Sequence, residues 1–211
     1  MTEVTMKLIS ETLKDGDQLT CDGQHIALFV ISGGLSVAGH PVAAGDGIHV
    51  DGSTDDIVSA NAETEVLQFI VDPDSSAGTP SANGRLICEA SFELPQGGQF
   101  LRLDQVAFPP GASAYRHVHP GAGIRFLTKG TLDIQSDHGV EQMAAGIAWF
   151  EDANSPVKAT ASHSRPTAFV RGMVLPIDFL GKPTITYLNP SDGAKPKLQT
   201  NTRFFDQQIE F

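Results

Sequence analysis

The chain contains the same run of residues twice, and this repeat restricts its fold more than any other feature. Phe29-Val30-Ile31-Ser32-Gly33-Gly34-Leu35-Ser36-Val37 aligns with Phe126-Leu127-Thr128-Lys129-Gly130-Thr131-Leu132-Asp133-Ile134 at an offset of 97 residues. Ala43-Ala44-Gly45-Asp46-Gly47-Ile48 aligns with Ala144-Ala145-Gly146-Ile147-Ala148-Trp149 at 101, and Val71-Asp72-Pro73 with Val174-Leu175-Pro176 at 103. Three blocks in order with a slowly rising offset indicate a duplicated unit whose second copy has longer surface turns. The extra residues fall in Ser136-Asp137-His138-Gly139 and in Ser162-His163-Ser164-Arg165-Pro166.

Each copy is made of short apolar segments of four to eight residues bounded by Gly, Pro, Asp or Ser. Ile26–Ile31, Val66–Val71, Ile124–Leu127 and Ala168–Leu175 are examples. Such segments read as strands, and sustained helical periodicity is almost absent. The expected fold is all-β, with two barrels from one internal duplication. The expected division is a first repeat over residues 1–73, a Pro/Gly/Ser linker over 74–84, a second repeat over 85–180 and a C-terminal arm over 181–211. The arm is polar but carries Phe204, Phe205, Ile209 and Phe211, so it is expected to pack against the first repeat or a partner subunit.

Charge narrows the partners. Lys and Arg total 14 against 25 Asp and Glu, a formal net charge of -11. A chain this acidic repels phosphate backbones and anionic lipid, so neither nucleic acid nor membrane is an expected partner. No apolar run reaches the roughly 18 residues of a membrane span. The start lacks a basic region followed by an apolar run, and Cys21 and Cys88 form neither a disulfide framework nor a zinc pattern. The expected location is the cytoplasm, and the expected partners are a small-molecule ligand and a second copy of the chain in a homodimer.

Chemistry concentrates in the second repeat, in Gly111-Ala112-Ser113-Ala114-Tyr115-Arg116-His117-Val118-His119-Pro120-Gly121. Strand alternation puts Tyr115, His117 and His119 on one face, and two inward His at i and i+2 can present imidazoles to one cation. Arg125 follows on the same face as Gly123. It needs an anionic partner, either a structural Asp or Glu or the carboxylate of a ligand. The first repeat has no His-X-His; its His25, His40 and His49 read as turn or surface residues.

This stretch resembles the first motif of the cupin superfamily (RmlC-like), G(X)5HXH(X)3,4E(X)6G, and the pair of repeats is similar to a bicupin. The resemblance implies double-stranded β-helix, or jelly-roll, barrels. It also implies His117 and His119 as ligands of a divalent transition metal (Fe, Mn, Ni or Zn), with Tyr115 and Arg125 as substrate-binding residues. The motif is degenerate, with Gly123 at the position of the usual Glu. In the second motif, counted from Gly146, Val157 takes the place of the usual His. The function the resemblance implies is a small-molecule site in the second barrel, with metal-assisted, dioxygenase-like oxidation. The alternatives are a non-catalytic module that binds a small organic anion, and a metal-free isomerase or epimerase using His and Tyr.

Overall fold

A computed structural model describes residues 2–52 and 58–211, so residue 1 and residues 53–57 of the expected first repeat lie outside the described residues. The chain is built from antiparallel strands. The first unit runs β1 (Glu3–Leu13), β2 (Gln18–Leu19), β3 (His25–Ser32), β4 (Gly34–Val37), β5 (His40–Ala43), β6 (Gly47–Asp51), β7 (Val58–Ala60), β8 (Thr64–Asp72) and β9 (Gly84–Glu93). The second runs β10 (Gln99–Phe108), β11 (Ser113–Val118), β12 (Ala122–Lys129), β13 (Thr131–Ser136), β14 (Gly139–Ala144), β15 (Ala148–Glu151), β16 (Val157–Ala161) and β17 (Thr167–Pro176). It continues through β18 (Thr186–Tyr187), a short helix α1 (Pro190–Gly193) and β19 (Thr200–Ile209).

Among the described residues, each unit has a large five-stranded sheet, in the order β6-β3-β8-β1-β9 in the first and β15-β12-β17-β10-β19 in the second. A second sheet of shorter strands closes each barrel, four-stranded in the first (β2-β7-β4-β5) and five-stranded in the second (β14-β13-β16-β11-β18). The duplication therefore holds strand for strand in the large sheets, down to a bulge at Val30/Ser32 that returns at Leu127/Lys129, and the second closing sheet adds β18. Turn chemistry repeats as well. Gly33 and Gly130 take left-handed φ values of 77° and 78°. A Cβ on either would strike the backbone of the strand beginning at Thr64 or Thr167, so only glycine fits. The Thr64 hydroxyl donates to the Gly34 carbonyl and the Thr167 hydroxyl to the Thr131 carbonyl.

The strand pairing corrects the expected boundaries. β9, Gly84–Glu93, which spans the end of the expected linker and the head of the expected second repeat, pairs along β1 and is the last strand of the first large sheet. Residues 74–83 are a loop within the first unit, tied back by Ser81, which donates to Glu11, and by Lys7, which donates to the carbonyls of Ser75 and Ala77. The reason is that β1 has two edges, and β8 covers only one of them. The C-terminal arm obeys the same rule, since β19 pairs along β10 and completes the second large sheet.

The two large sheets pack face to face. Met6, Leu8, Phe29 and Phe69 of one interdigitate with Leu101, Leu103, Ile124 and Phe126 of the other in one buried cluster. Burying each such side chain stabilises by about 1.5–3 kcal/mol, so this shared core joins the barrels firmly. The expected packing of the arm on the first repeat is present: Phe204 lies 5.5 Å from Phe29 and Phe205 lies 5.8 Å from His49, between ring centroids. No described helix is long and apolar enough to cross a membrane.

Candidate functional site

The two barrel interiors differ at equivalent positions. In the first barrel a row crosses the large sheet through Ile9, Gln68 and Leu28. In the second, the same row reads Asp104, Arg171 and Arg125. Val50 faces Ile26 in one, and Glu151 faces Gly123 in the other. The first barrel is thus filled with Ile9, Leu28, Val50 and their neighbours. The second keeps a cavity of about 330 Å³, a size typical of small-molecule sites. Its walls are largely apolar, with Phe108, Ile134, Trp149, Val157 and Phe169 prominent.

Two like charges directly across a ladder are unfavourable unless each is compensated. Arg171 is clamped by Asp104, with Nε to Oδ1 at 2.6 Å and Nη2 to Oδ2 at 3.0 Å. Asn201 on β19 donates to the same Oδ2 at 2.9 Å. Arg125 is 1% exposed; its Nη1 donates to the Gly123 carbonyl at 2.5 Å and its Nη2 lies 2.9 Å from Glu151 Oε2. Trp149 Nε1 donates to the other oxygen, Oε1, at 2.8 Å. Burial pushes the Arg125 guanidinium down to about 10, with Glu151 opposing the shift, so it stays charged at neutral pH.

His117 and His119 meet inside this cavity, with their Nε2 atoms 3.2 Å apart. His117 Nδ1 lies 2.6 Å from the Tyr115 carbonyl, which can only accept, so Nδ1 carries the proton. Arg171 Nη1 lies 3.1 Å from His119 Nε2. A guanidinium can only donate, so that Nε2 is a lone pair, and His119 Nδ1 donates to the Thr184 carbonyl at 3.1 Å. His119 Nε2 therefore has no proton to give His117. The Nε2 lone pair of His117 is left without a donor among the described residues. Burial lowers the basicity of both imidazoles; the Tyr115 carbonyl and Glu151 oppose the shift at His117, and Arg171 and Arg125 add to it at both, so both are neutral at pH 7.

Of the four residues expected from sequence, three come together and one does not. His117, His119 and Arg125 line the cavity, and Tyr115 does not. A bulge between Ala114 and His117 inserts a residue into β11 and resets the alternation, so Ala114 faces inward instead. The Tyr115 ring lies beneath Lys195 Nζ, 4.7 Å from its centroid. Arg125 is inward but engaged by Glu151, which is the structural partner of the two weighed for it. Asp104, Glu151 and Arg171 were not anticipated. Their signal was a charge at inward-alternating positions within apolar strands, as in Phe100-Leu101-Arg102-Leu103-Asp104.

The residues present do not fit a resident divalent cation. Such a site needs about three protein ligands, and the described residues contain no cluster of three or more His, Cys, Asp or Glu placed to hold one. Both carboxylates within the cavity are held by guanidinium groups, and Arg171 already donates to one of the two imidazole lone pairs. Gly123 cannot be a vestigial ligand position, because a Cβ there would lie 2.2 Å from the Gly172 carbonyl oxygen. Val157 lines the cavity where a fourth ligand is usual.

A family profile described as the quercetinase C-terminal cupin domain matches residues 5–71. That match, about a third of the chain, likens the first barrel to a cupin domain, and the second barrel repeats the order of its large sheet. The profile falls on the barrel whose interior is closed, whereas the open cavity lies in the other. Among solved structures, a salicylate 1,2-dioxygenase from Pseudaminobacter salicylatoxidans is 12% identical with a TM-score of 0.56. The match covers 80% of this chain and 70% of that chain. AerE from Microcystis aeruginosa is 14% identical with a TM-score of 0.56, over 83% of this chain and 89% of that chain. The polyketide cyclase RemF from Streptomyces resistomycificus is 18% identical with a TM-score of 0.37. That match covers 45% of this chain and 65% of that chain, slightly under two thirds. No curated protein matches the sequence. At these identities the likeness shows the fold alone.

Proposed function

We propose that the second barrel binds a small, largely apolar molecule and takes a proton from it on His117 Nε2, without a resident metal. The observation that carries this reading is the donorless lone pair. His117 is buried and oriented through the Tyr115 carbonyl, and its Nε2 faces the bare Nε2 of His119 at 3.2 Å within the cavity. A buried acceptor left unpaired costs about 1–3 kcal/mol, which a hydroxyl or an acidic C–H of a bound molecule would recover.

The residues divide the work. A bound C–H or O–H breaks, its proton moves to His117 Nε2, and the electron pair stays on the ligand as an oxyanion. Arg171, whose guanidinium lines the cavity beside His119, is the cationic neighbour for that charge. Return of the proton to a different ligand atom completes an isomerisation with no net gain or loss of protons. General-base help of this kind is worth about 10²–10⁴-fold. Apolar walls keep bulk water from quenching the intermediate.

The metal-assisted oxidation implied by the family resemblance is not carried forward, because the donor set argues against a bound cation. The anion-binding role expected for Arg125 is not carried forward either, since Glu151 neutralises it.

The test is deuterium exchange in D2O, followed by proton NMR, into a panel of small enolisable aryl and alkyl ketones. Wild type should accelerate exchange of at least one member, and H117Q should lose that acceleration by about 10²-fold or more. Exchange that survives H117Q, or that needs added metal, would overturn the reading.

A further inference from the structure

The segment entering β19 adds an alternating polar stripe to the cavity: Lys197, Gln199, Asn201 and Arg203 all line it. Two of these are committed elsewhere in the fold. Asn201 donates to Asp104, and Arg203 donates to Asp206. Two are not. Gln199 Oε1 is buried with no hydrogen-bond partner. Lys197 Nζ donates to the carbonyls of Asp192 and Gly193 and sits over the Tyr187 ring, 4.8 Å from its centroid. An ammonium has three donors, so one remains.

The other cations of the cavity each have a carboxylate: Arg102 and Arg203 share Asp206, Arg125 has Glu151 and Arg171 has Asp104. Among the described residues, Lys197 is the lining cation without a carboxylate partner. Its neighbour Lys195 is different, being paired with Asp192 at 2.5 Å. The position also suits a mouth. Lys197 itself is exposed, and Tyr187 beneath it sits with its ring 6.4 Å from that of His117. A ligand lying along Tyr187 reaches from the remaining donor of the Lys197 ammonium to the His117 imidazole.

We infer that Lys197 is the anion anchor of this cavity, and that the substrate is a small carboxylate with an apolar body. Its charged end stays at the mouth on Lys197, an O–H or N–H beside the carboxylate meets Gln199 Oε1, and its acidic hydrogen reaches His117. This rests on the reading of the second barrel as the ligand site and adds the class of ligand. It also explains how a chain of net charge -11 admits an anion: the local field at the mouth is set by the one uncompensated cation rather than by the whole protein.

The test is saturation-transfer NMR on the full chain with phenylacetate, mandelate, 3-phenylpropionate and hexanoate, each paired with its neutral amide. Wild type should prefer acids to amides, and K197M should weaken acid binding by about tenfold while leaving the amides unchanged. K195M should behave as wild type. Equal binding of acids and amides by wild type, with both lost when V157W fills the cavity, would overturn the anchor and leave the cavity reading standing. Unchanged acid binding in K197M would also overturn the anchor. Binding of no panel member would overturn both.

Discussion

Arg171 Nη1 and His119 Nε2 lie 3.1 Å apart, and this contact sets the protonation of the whole site. It makes His119 an acceptor at Nε2, sends its proton to Thr184, and so leaves His117 facing a lone pair rather than a donor. Asp104, 1% exposed, holds Arg171 in that pose through two hydrogen bonds. Removing one partner of such a buried pair strands the other. R171M should therefore cost about 3–5 kcal/mol of stability, and the double variant R171M/D104L clearly less. Chemical denaturation of the three proteins checks this; a double variant as unstable as R171M would contradict it.

The duplication was legible because turn chemistry carried it. Gly33 and Gly130 are each required by a backbone clash, so their flanking blocks align. His117, His119 and Arg125 line one cavity, and all three lie past the disturbance in β11. Tyr115 was misplaced because a bulge is a backbone event with no side-chain signature at this position. Asp104, Arg171 and Glu151 were missed because a charge inside an apolar strand looks like an interruption until its cross-strand partner is known. The boundaries slipped at β9 and β19 for a similar reason. A strand on the sheet edge has mixed exposure and reads as linker or arm.

Restoring the motif residue at position 123 should damage the fold rather than create a metal centre. In G123E even the Cβ meets the Gly172 carbonyl, and β12 must move away from β17. Overpacking of this kind costs about 1–3 kcal/mol. Differential scanning calorimetry should show a lowered melting temperature, and equilibrium dialysis no new zinc or iron binding. A stable G123E that takes up one equivalent of metal would refute the account of the donor set.

The β19 strand should be indispensable. It supplies Asp206 to the buried Arg102, Asn201 to Asp104, and Phe204 to the core between the sheets. A chain ending at Gly181 leaves Arg102 without its carboxylate and β10 with a bare edge. We expect it to be insoluble or to melt well below the full chain; an unchanged melting temperature would show that the strand is dispensable.

Stability should fall on acidification below the ordinary histidine range. Burial pushes His49 down to about 4, with His25 beside it adding to the effect and Asp51 opposing it. Burial also lowers His117 and His119. Below about pH 6.5 the unfolded chain binds protons that the folded chain refuses, so the stability these groups contribute is present above 6.5 and is lost as pH drops. For His49 the loss spans roughly pH 6.5 to 4. Urea midpoints measured across that window should decline in wild type and less steeply in H49F; parallel curves would remove His49 from the explanation.

The central claim concerns where two protons sit, and long-range ¹H–¹⁵N correlation spectra of the histidine side chains at pH 7 read that directly. The account predicts that His117 and His119 are both neutral, both protonated at Nδ1 and both bare at Nε2, with spectra unchanged by chelator. R171M should shift the His119 Nε2 resonance. An Nε2-protonated His117, or resonances that move when a chelator strips a bound cation, would contradict it.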